Sequence, residues 1–272
     1  MGAKLTWQRI RTIWIVTGLT ATVIFVAWCA IAYRATPDAR AAMRSDARGV
    51  VTPGENVTRF ASTSQPANVP VGLLFFAGSL VDPVAYAPLA RAVAAAGYPV
   101  ILVPLPRRGA FGGADAPEVL HIALSAIHED ERAVQWLIGG HSKGAVVASR
   151  MVADLASLGA GSVAGLLLVG TSHPRDVDLS GYKHPVTKIV ATRDGLASLD
   201  KVEANRRLLP PTTRWVRIEG GNHSQFGWYG FQPGDRFATI SREEQHAQMI
   251  AAILESLRLA GDPSRTRLAP LY

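Results

Sequence analysis

Short apolar runs, each about the length of one strand, recur along this chain with helix-patterned segments between them, and that alternation constrains the fold more than any other feature. Strand-like runs at residues 71–76, 99–103, 135–138, 165–169, 187–191 and 215–218 are interleaved with helical patterns at 86–95 and 145–158. A last amphipathic helix is predicted over residues 242–259. Strands that are apolar along their whole length need cover on both faces, which parallel sheets obtain from their crossover helices. The expected fold class is therefore α/β, a mostly parallel, doubly covered sheet, with sites forming where strands end at their carboxyl edge. Two further short strands are expected around Val50-Val51 and over residues 57–60.

The chain has 272 residues, 48% of them hydrophobic, enough to bury a sizeable core. Charged residues are only 18%, below the roughly 25% of ordinary soluble domains, so part of the chain is expected in lipid. Residues 12–33 carry no charge, and at about 1.5 Å per residue they reach across a bilayer core of roughly 30 Å. Lys4, Arg9 and Arg11 precede this segment, and Trp14, Trp28 and Tyr33 lie near its ends, where amphipathic rings favour the headgroup layer. A cleaved signal peptide with Ala30-Ile31-Ala32 as its site is the alternative, but its apolar region would run only about 7–15 residues. The predicted organisation is an N-terminal transmembrane anchor (1–34), a stalk with the first short strands (35–69) and a catalytic domain (70–272). Placement at the cell membrane is expected, single-pass, with the N-terminus inside and the domain extracytoplasmic.

The net charge of +7 raises the question of nucleic acid. The basic residues are scattered, with no stripe or aromatic-interleaved patch, so no nucleic-acid partner is expected. Attraction to anionic headgroups accounts for the charge of a tethered domain. Cys29 is the single cysteine and falls within the apolar helix, where it reads as a packing residue.

Gly140-His141-Ser142-Lys143-Gly144 reads G-x-S-x-G between a strand-like and a helix-like run. The pentapeptide is short enough to arise by chance, so the strand-turn-helix context carries the argument. A serine on so sharp a turn has its hydroxyl exposed, and Gly140 and Gly144 remove the Cβ atoms that would clash there. That hydroxyl needs a base and the base needs an orienting acid. Of seven histidines, His141 sits inside the turn, His121, His128 and His246 fall on helical patterns, and His173 and His184 precede prolines. His223 follows the last strand through Gly220-Gly221, where a loop swings a ring over the serine. Asp194 directly follows the strand at 187–191 and is the expected acid, with Asp200 and Glu219 as rivals. The oxyanion donors expected are the N–H of Lys143 and that of Ser79 in the turn after the first parallel strand, with Leu80 next in line.

Three stretches now carry a family likeness: Phe76-Ala77-Gly78-Ser79-Leu80-Val81-Asp82-Pro83 with Tyr86, Gly139-Gly140-His141-Ser142-Lys143-Gly144, and Gly220-Gly221-Asn222-His223-Ser224-Gln225-Phe226-Gly227 running on to Gln232-Pro233-Gly234-Asp235. On these the chain resembles the α/β-hydrolase family, in its branch of dienelactone hydrolases and small esterases. The resemblance implies a cofactor-free, metal-free serine hydrolase acting on a carboxylic ester or related acyl bond, with Ser142, Asp194 and His223 in the triad roles. A small-molecule or lipid acyl substrate is the expected partner, together with the membrane through the N-terminal helix. Lys143 stands where the family often has an uncharged residue, which implies a preference for anionic acyl groups. The aromatic loop at 225–239 is the expected acyl-binding wall. Two other functions fit the same residues: acyl transfer by the same triad, and a catalytically silent, membrane-tethered binding protein.

Overall fold

The computed structural model describes residues 2–64, 69–157 and 162–262. Leu158 and Pro66, which the expected helix and stalk include, and residues 263–272 lie outside the described residues. Eight strands form one sheet in the order β1-β2-β4-β3-β5-β6-β7-β8. They are β1 Gly49–Pro53, β2 Thr58–Ser62, β3 Val69–Phe76, β4 Val100–Val103, β5 Ala133–His141, β6 Val163–Val169, β7 Val186–Ala191 and β8 Arg214–Ile218. β1 and β2 pair antiparallel at one edge, and every pair from β4 to β8 is parallel. The helices are α1 Gly2–Ala32, α2 Pro37–Ala41, α3 Ala87–Ala95, α4 Pro117–His128, α5 Lys143–Ser157, α6 Leu199–Glu203 and α7 Arg242–Ala260.

The predicted double cover follows from the period of two along each strand. In β3, Leu73 and Phe75 join the core that holds Leu89 and Val93 of α3 and Met249, Ile253 and Leu257 of α7. Leu74 and Phe76 face the other core, with Val119 and Ala123 of α4 and Met151 and Val152 of α5. All four of those β3 side chains are fully buried, so the strand has no polar face to show.

The stretch expected as a stalk is instead built into the domain. β1 and β2 extend the sheet through β4, and Ala35 and Ala39 are buried in the core beside α3. The Thr36 side chain caps α2 by accepting the Ala39 N–H. Prolines and mixed charge made the segment read as linker, whereas its small apolar residues pack.

Among the described residues one helical segment, Thr6–Ala32, is long and apolar enough to cross a membrane, a property that signal sequences share. Its side chains are exposed over most of their length, among them Trp14, Val23 and Ile24. Its C-terminal end is joined to the domain: Ala32 and Tyr33 carbonyls accept the N–H groups of Gly230 (2.6 Å) and Asp82 (2.9 Å), and the Thr36 N–H donates to Trp228 (2.8 Å).

The parallel register sets β5 beside both β3 and β6, with Phe76 level with Gly140 and Val169 level with His141. The carboxyl ends of three central strands therefore meet at one place, where β5 turns directly into α5.

Candidate active site

Ser142 stands between the last residue of β5 and the first of α5, with φ at 53°. That left-handed conformation is strained for a serine and persists because the surroundings over-determine it. The Ser142 N–H donates to the Val169 carbonyl (2.9 Å), and its own carbonyl accepts the Ala145 N–H (3.1 Å). The turn closes only between glycines. A Cβ at Gly140 would come within 2.5 Å of the Gly144 carbonyl carbon, and one at Gly144 would run into the Phe76 and Ala77 carbonyl oxygens. Gly144→Ala is therefore expected to destabilise the fold by about 2–3 kcal/mol, the cost of overpacking a site whose neighbours are backbone. A thermal melt of the full chain in detergent should fall by roughly 5–10 °C, and an unchanged melt would contradict this packing.

Asp194 lies just beyond β7, and its two oxygens have separate tasks. Oδ1 accepts the N–H groups of Leu196 (2.9 Å) and Ala197 (2.6 Å), and Oδ2 is 2.9 Å from His223 Nδ1. Both side chains are essentially buried. The rivals are placed elsewhere: Asp200 is in the first turn of α6, and Glu219 pairs with Arg217 at the surface.

His223 reaches this position through a loop held at several points. Gly220 turns the chain at φ 75°, and Asn222 is clamped by Gln245 of α7, which accepts its N–H (3.0 Å) and donates to its carbonyl (2.7 Å). Asp235 accepts the N–H groups of His223 (3.2 Å), Ser224 (2.8 Å) and Gly195 (3.0 Å), as well as the Ser224 hydroxyl (2.7 Å). One carboxylate thus ties the histidine loop to the aspartate loop. Sequence reasoning missed the roles of Asp235 and Gln245; the only signal was the Gly234-Asp235 pair in a stretch already singled out for its likeness.

His141 packs beneath, its ring centroid 4.5 Å from that of His223. The Tyr86 hydroxyl accepts the Gly78 N–H (3.1 Å), so its own proton is free to be donated to His141 Nδ1 (2.7 Å). Burial holds the His141 pKa well below its ordinary value, with the neighbouring His223 and His246 adding to the effect, so the ring under His223 is neutral.

Ser142 and His223 line one cavity of about 180 Å³, together with Gly170, His173, Leu196 and Ala197. His223 Nε2 is buried and has no hydrogen-bond partner among the described residues, so serine and imidazole share a cavity without being bonded. Nδ1–H directed at Asp194 leaves Nε2 with its lone pair, the tautomer a base requires.

The turn after β3 separates the oxyanion candidates. The Gly78 N–H is taken by Tyr86, and the Leu80 N–H donates to the Arg108 carbonyl at 2.6 Å. The Ser79 and Lys143 N–H groups have no partner among the described residues, which removes Leu80 as the alternative. Lys143 also opens α5, where the helix dipole favours negative charge.

Two expectations are corrected at the rim. The Lys143 ammonium is not a free charge at the mouth: it lies 3.4 Å from Asp115, which Arg150 links in turn to Asp176. The Arg150 guanidinium holds the Asp115 carboxyl below its ordinary pKa. Among the described residues that line the cavity, the cation without an ion-pair partner is Arg175. The aromatic loop is not the cavity wall either. Phe226 and Tyr229 are fully buried, Phe226 against His141, and the Trp228 Nε1–H donates to His246 Nδ1. Behind the rim, buried Lys188 donates to the His173 carbonyl, and burial pushes its pKa down to about 7. Among the described residues no group of three His, Cys, Asp or Glu side chains is placed to share a metal ion.

Comparison with known proteins agrees with this architecture. A family model for the alpha/beta hydrolase family matches residues 72–247. Solved structures with the same fold include fungal esterases from Rhizomucor miehei, at 15% identity and a TM-score of 0.58, covering 87% of this chain and 91% of that one. A bacterial heroin esterase matches at 19% identity and a TM-score of 0.55, covering 78% and 84%. A dienelactone hydrolase-like promiscuous phosphotriesterase from metagenomic libraries matches at 15% identity and a TM-score of 0.53, covering 77% and 97%. No curated protein gives a significant match.

Proposed function

The chain belongs to the alpha/beta hydrolase family, and we propose that within it this protein is a membrane-anchored serine hydrolase that cleaves a carboxylic ester or related acyl bond through an acyl-enzyme on Ser142. The observation that carries the reading is the buried Asp194–His223 pair, 2.9 Å apart, whose free Nε2 borders the cavity that Ser142 also lines.

In this reading His223 Nε2 takes the Ser142 proton as Oγ attacks the acyl carbon, and Asp194 stabilises the imidazolium. The developing oxyanion is met by the Ser79 and Lys143 N–H groups, each worth about 3 kcal/mol of barrier in such sites. Collapse of the tetrahedral intermediate expels the alcohol, which leaves with the proton from His223. Water, deprotonated by the same nitrogen, then releases the acid and restores the serine.

The helix at Thr6–Ala32 is the proposed anchor, with the domain outside the cell. The bond from the Gly230 N–H to its Ala32 carbonyl supports a retained anchor over a cleaved leader, because a cut after Ala30-Ile31-Ala32 would remove that contact. Lys4, Arg9 and Arg11 ahead of it favour this orientation, and Arg34, Arg40, Arg44 and Arg48 behind it oppose it.

A series of p-nitrophenyl esters of increasing acyl length, given to the full chain in neutral detergent, tests the activity. The expected result is saturable turnover well above buffer, with free acid as the product even when an alcohol acceptor is supplied. Transfer of the acyl group to that alcohol as the main product would replace hydrolysis by acyl transfer, and no turnover on any ester would overturn the reading.

A further inference from the structure

Between the end of α1 and the turn after β3 lies a second cleft, of about 680 Å³, separate from the cavity of Ser142. One wall is apolar, from Val26, Cys29 and Ala30 of α1, and the other is the loop that carries Arg107 and Arg108. Arg34 and Arg40 complete a set of four arginines against one carboxylate, that of Asp82. Asp82 is already engaged by the Val84 N–H at 3.1 Å and the Ala35 N–H at 3.4 Å. None of the four guanidinium groups has an ion-pair or hydrogen-bond partner among the described residues. Elsewhere in the described domain Arg59, Arg91, Arg132 and Arg150 are paired with acids, and Arg175, which is not, is a single charge in the lining of the Ser142 cavity.

The backbone that presents two of these charges is strained. Leu80, Arg107 and Arg108 have φ of 65°, 50° and 53°, left-handed conformations that cost non-glycine residues free energy. The turn is held by the Leu80 N–H on the Arg108 carbonyl (2.6 Å) and the Arg108 N–H on the Leu105 carbonyl (2.8 Å). Two adjacent arginines held this way, with no acid paired to them among the described residues, point to an anionic ligand.

Depth identifies the class of ligand. The uncharged residues 12–33 extend roughly 33 Å as a helix against a hydrocarbon core of about 30 Å, and Arg34 follows directly, so the last turns of α1 end at the headgroup boundary. The cleft is walled by those turns. We infer that it binds the phosphate of an anionic membrane lipid, with Arg107 and Arg108 as its principal ligands and the apolar wall of α1 beside the upper acyl chains. The inference rests on the reading of α1 as an anchor. It also couples the lipid to the chemistry, because Arg108 accepts from Leu80, the residue after the proposed oxyanion donor Ser79.

The test uses the full chain in neutral micelles with fluorescent phosphatidylglycerol and phosphatidylcholine of the same acyl chains. Phosphatidylglycerol is expected to bind at least about tenfold more tightly, and Arg107→Asn/Arg108→Asn to abolish that preference. Asparagine tolerates the left-handed backbone, so the double variant removes charge and keeps the turn. Arg9→Gln/Arg11→Gln, at the other end of the helix, should keep the preference. A double variant that still prefers phosphatidylglycerol overturns the proposal, and so does displacement of the lipid by millimolar inorganic phosphate, which would make the ligand a free anion. Flotation with phosphatidylcholine vesicles separates the two claims: a chain that floats but shows no preference loses the cleft alone, and a chain that does not float loses the anchor and the cleft together.

Discussion

Ser142→Ala is expected to lower kcat/KM for ester hydrolysis by roughly four to six orders of magnitude, leaving the slow turnover that oxyanion donors and substrate binding supply without a nucleophile. At 1.36 kcal/mol per tenfold, that is about 5–8 kcal/mol of lost transition-state stabilisation. The fold should be indifferent. The Ser142 side chain makes no hydrogen bond among the described residues, and the backbone bond to Val169 that holds the turn survives the truncation. A melt within about 2 °C of wild type is therefore expected alongside the lost activity. Loss of activity with a collapsed melt would report misfolding, and retention of more than a tenth of the wild-type rate would remove Ser142 from the chemistry.

Asp194→Asn should lower kcat by about 10³ to 10⁴ with little change in KM. The reason is in the two oxygens of the carboxylate. The position of Oδ1 accepts two backbone N–H groups, from Leu196 and Ala197, so an asparagine there must keep its carbonyl oxygen facing them. Its NH₂ then takes the place of Oδ2, 2.9 Å from His223 Nδ1, and donates to a nitrogen that previously donated to it. The imidazole is forced into the tautomer with its proton on Nε2, and a base that already carries its proton cannot take one from serine. The imidazolium also loses its counter-charge. Steady-state kinetics with one soluble ester measures both parameters, and a loss of less than about tenfold would mean that Asp194 only caps the segment after it.

The sheet and the elbow were legible because their signals are local. Strands such as β3 and β6 are apolar along their whole length, and Gly140 and Gly144 flank a serine between a strand and a helix. The pairing of His223 with Asp194 was legible from chain order and from their positions just past strand ends. What escaped depends on contacts between distant loops. Asp235 matters because it accepts N–H groups from two loops at once, and nothing in a Gly-Asp pair announces that. Lys143 read as a free charge because its partner, Asp115, comes from a loop whose path no periodicity reveals. Residues 35–69 read as a stalk with two short strands; the strands are present as β1 and β2, and what escaped is the packing of the small alanines Ala35 and Ala39, which carry little weight in a hydropathy pattern. The aromatic loop was misassigned for the opposite reason: large rings suggest a binding wall, and here Phe226 and Tyr229 fill the core beneath the site.

The central claim is that one serine, activated by the His223–Asp194 pair, forms the covalent intermediate. It is tested most directly by treating the full chain with a fluorophosphonate and locating the adduct by peptide mass spectrometry. A single adduct on the peptide containing Ser142, lost when His223 is replaced by alanine, is the predicted result. An adduct on any other residue, or ester turnover that continues with Ser142 unmodified, would contradict it.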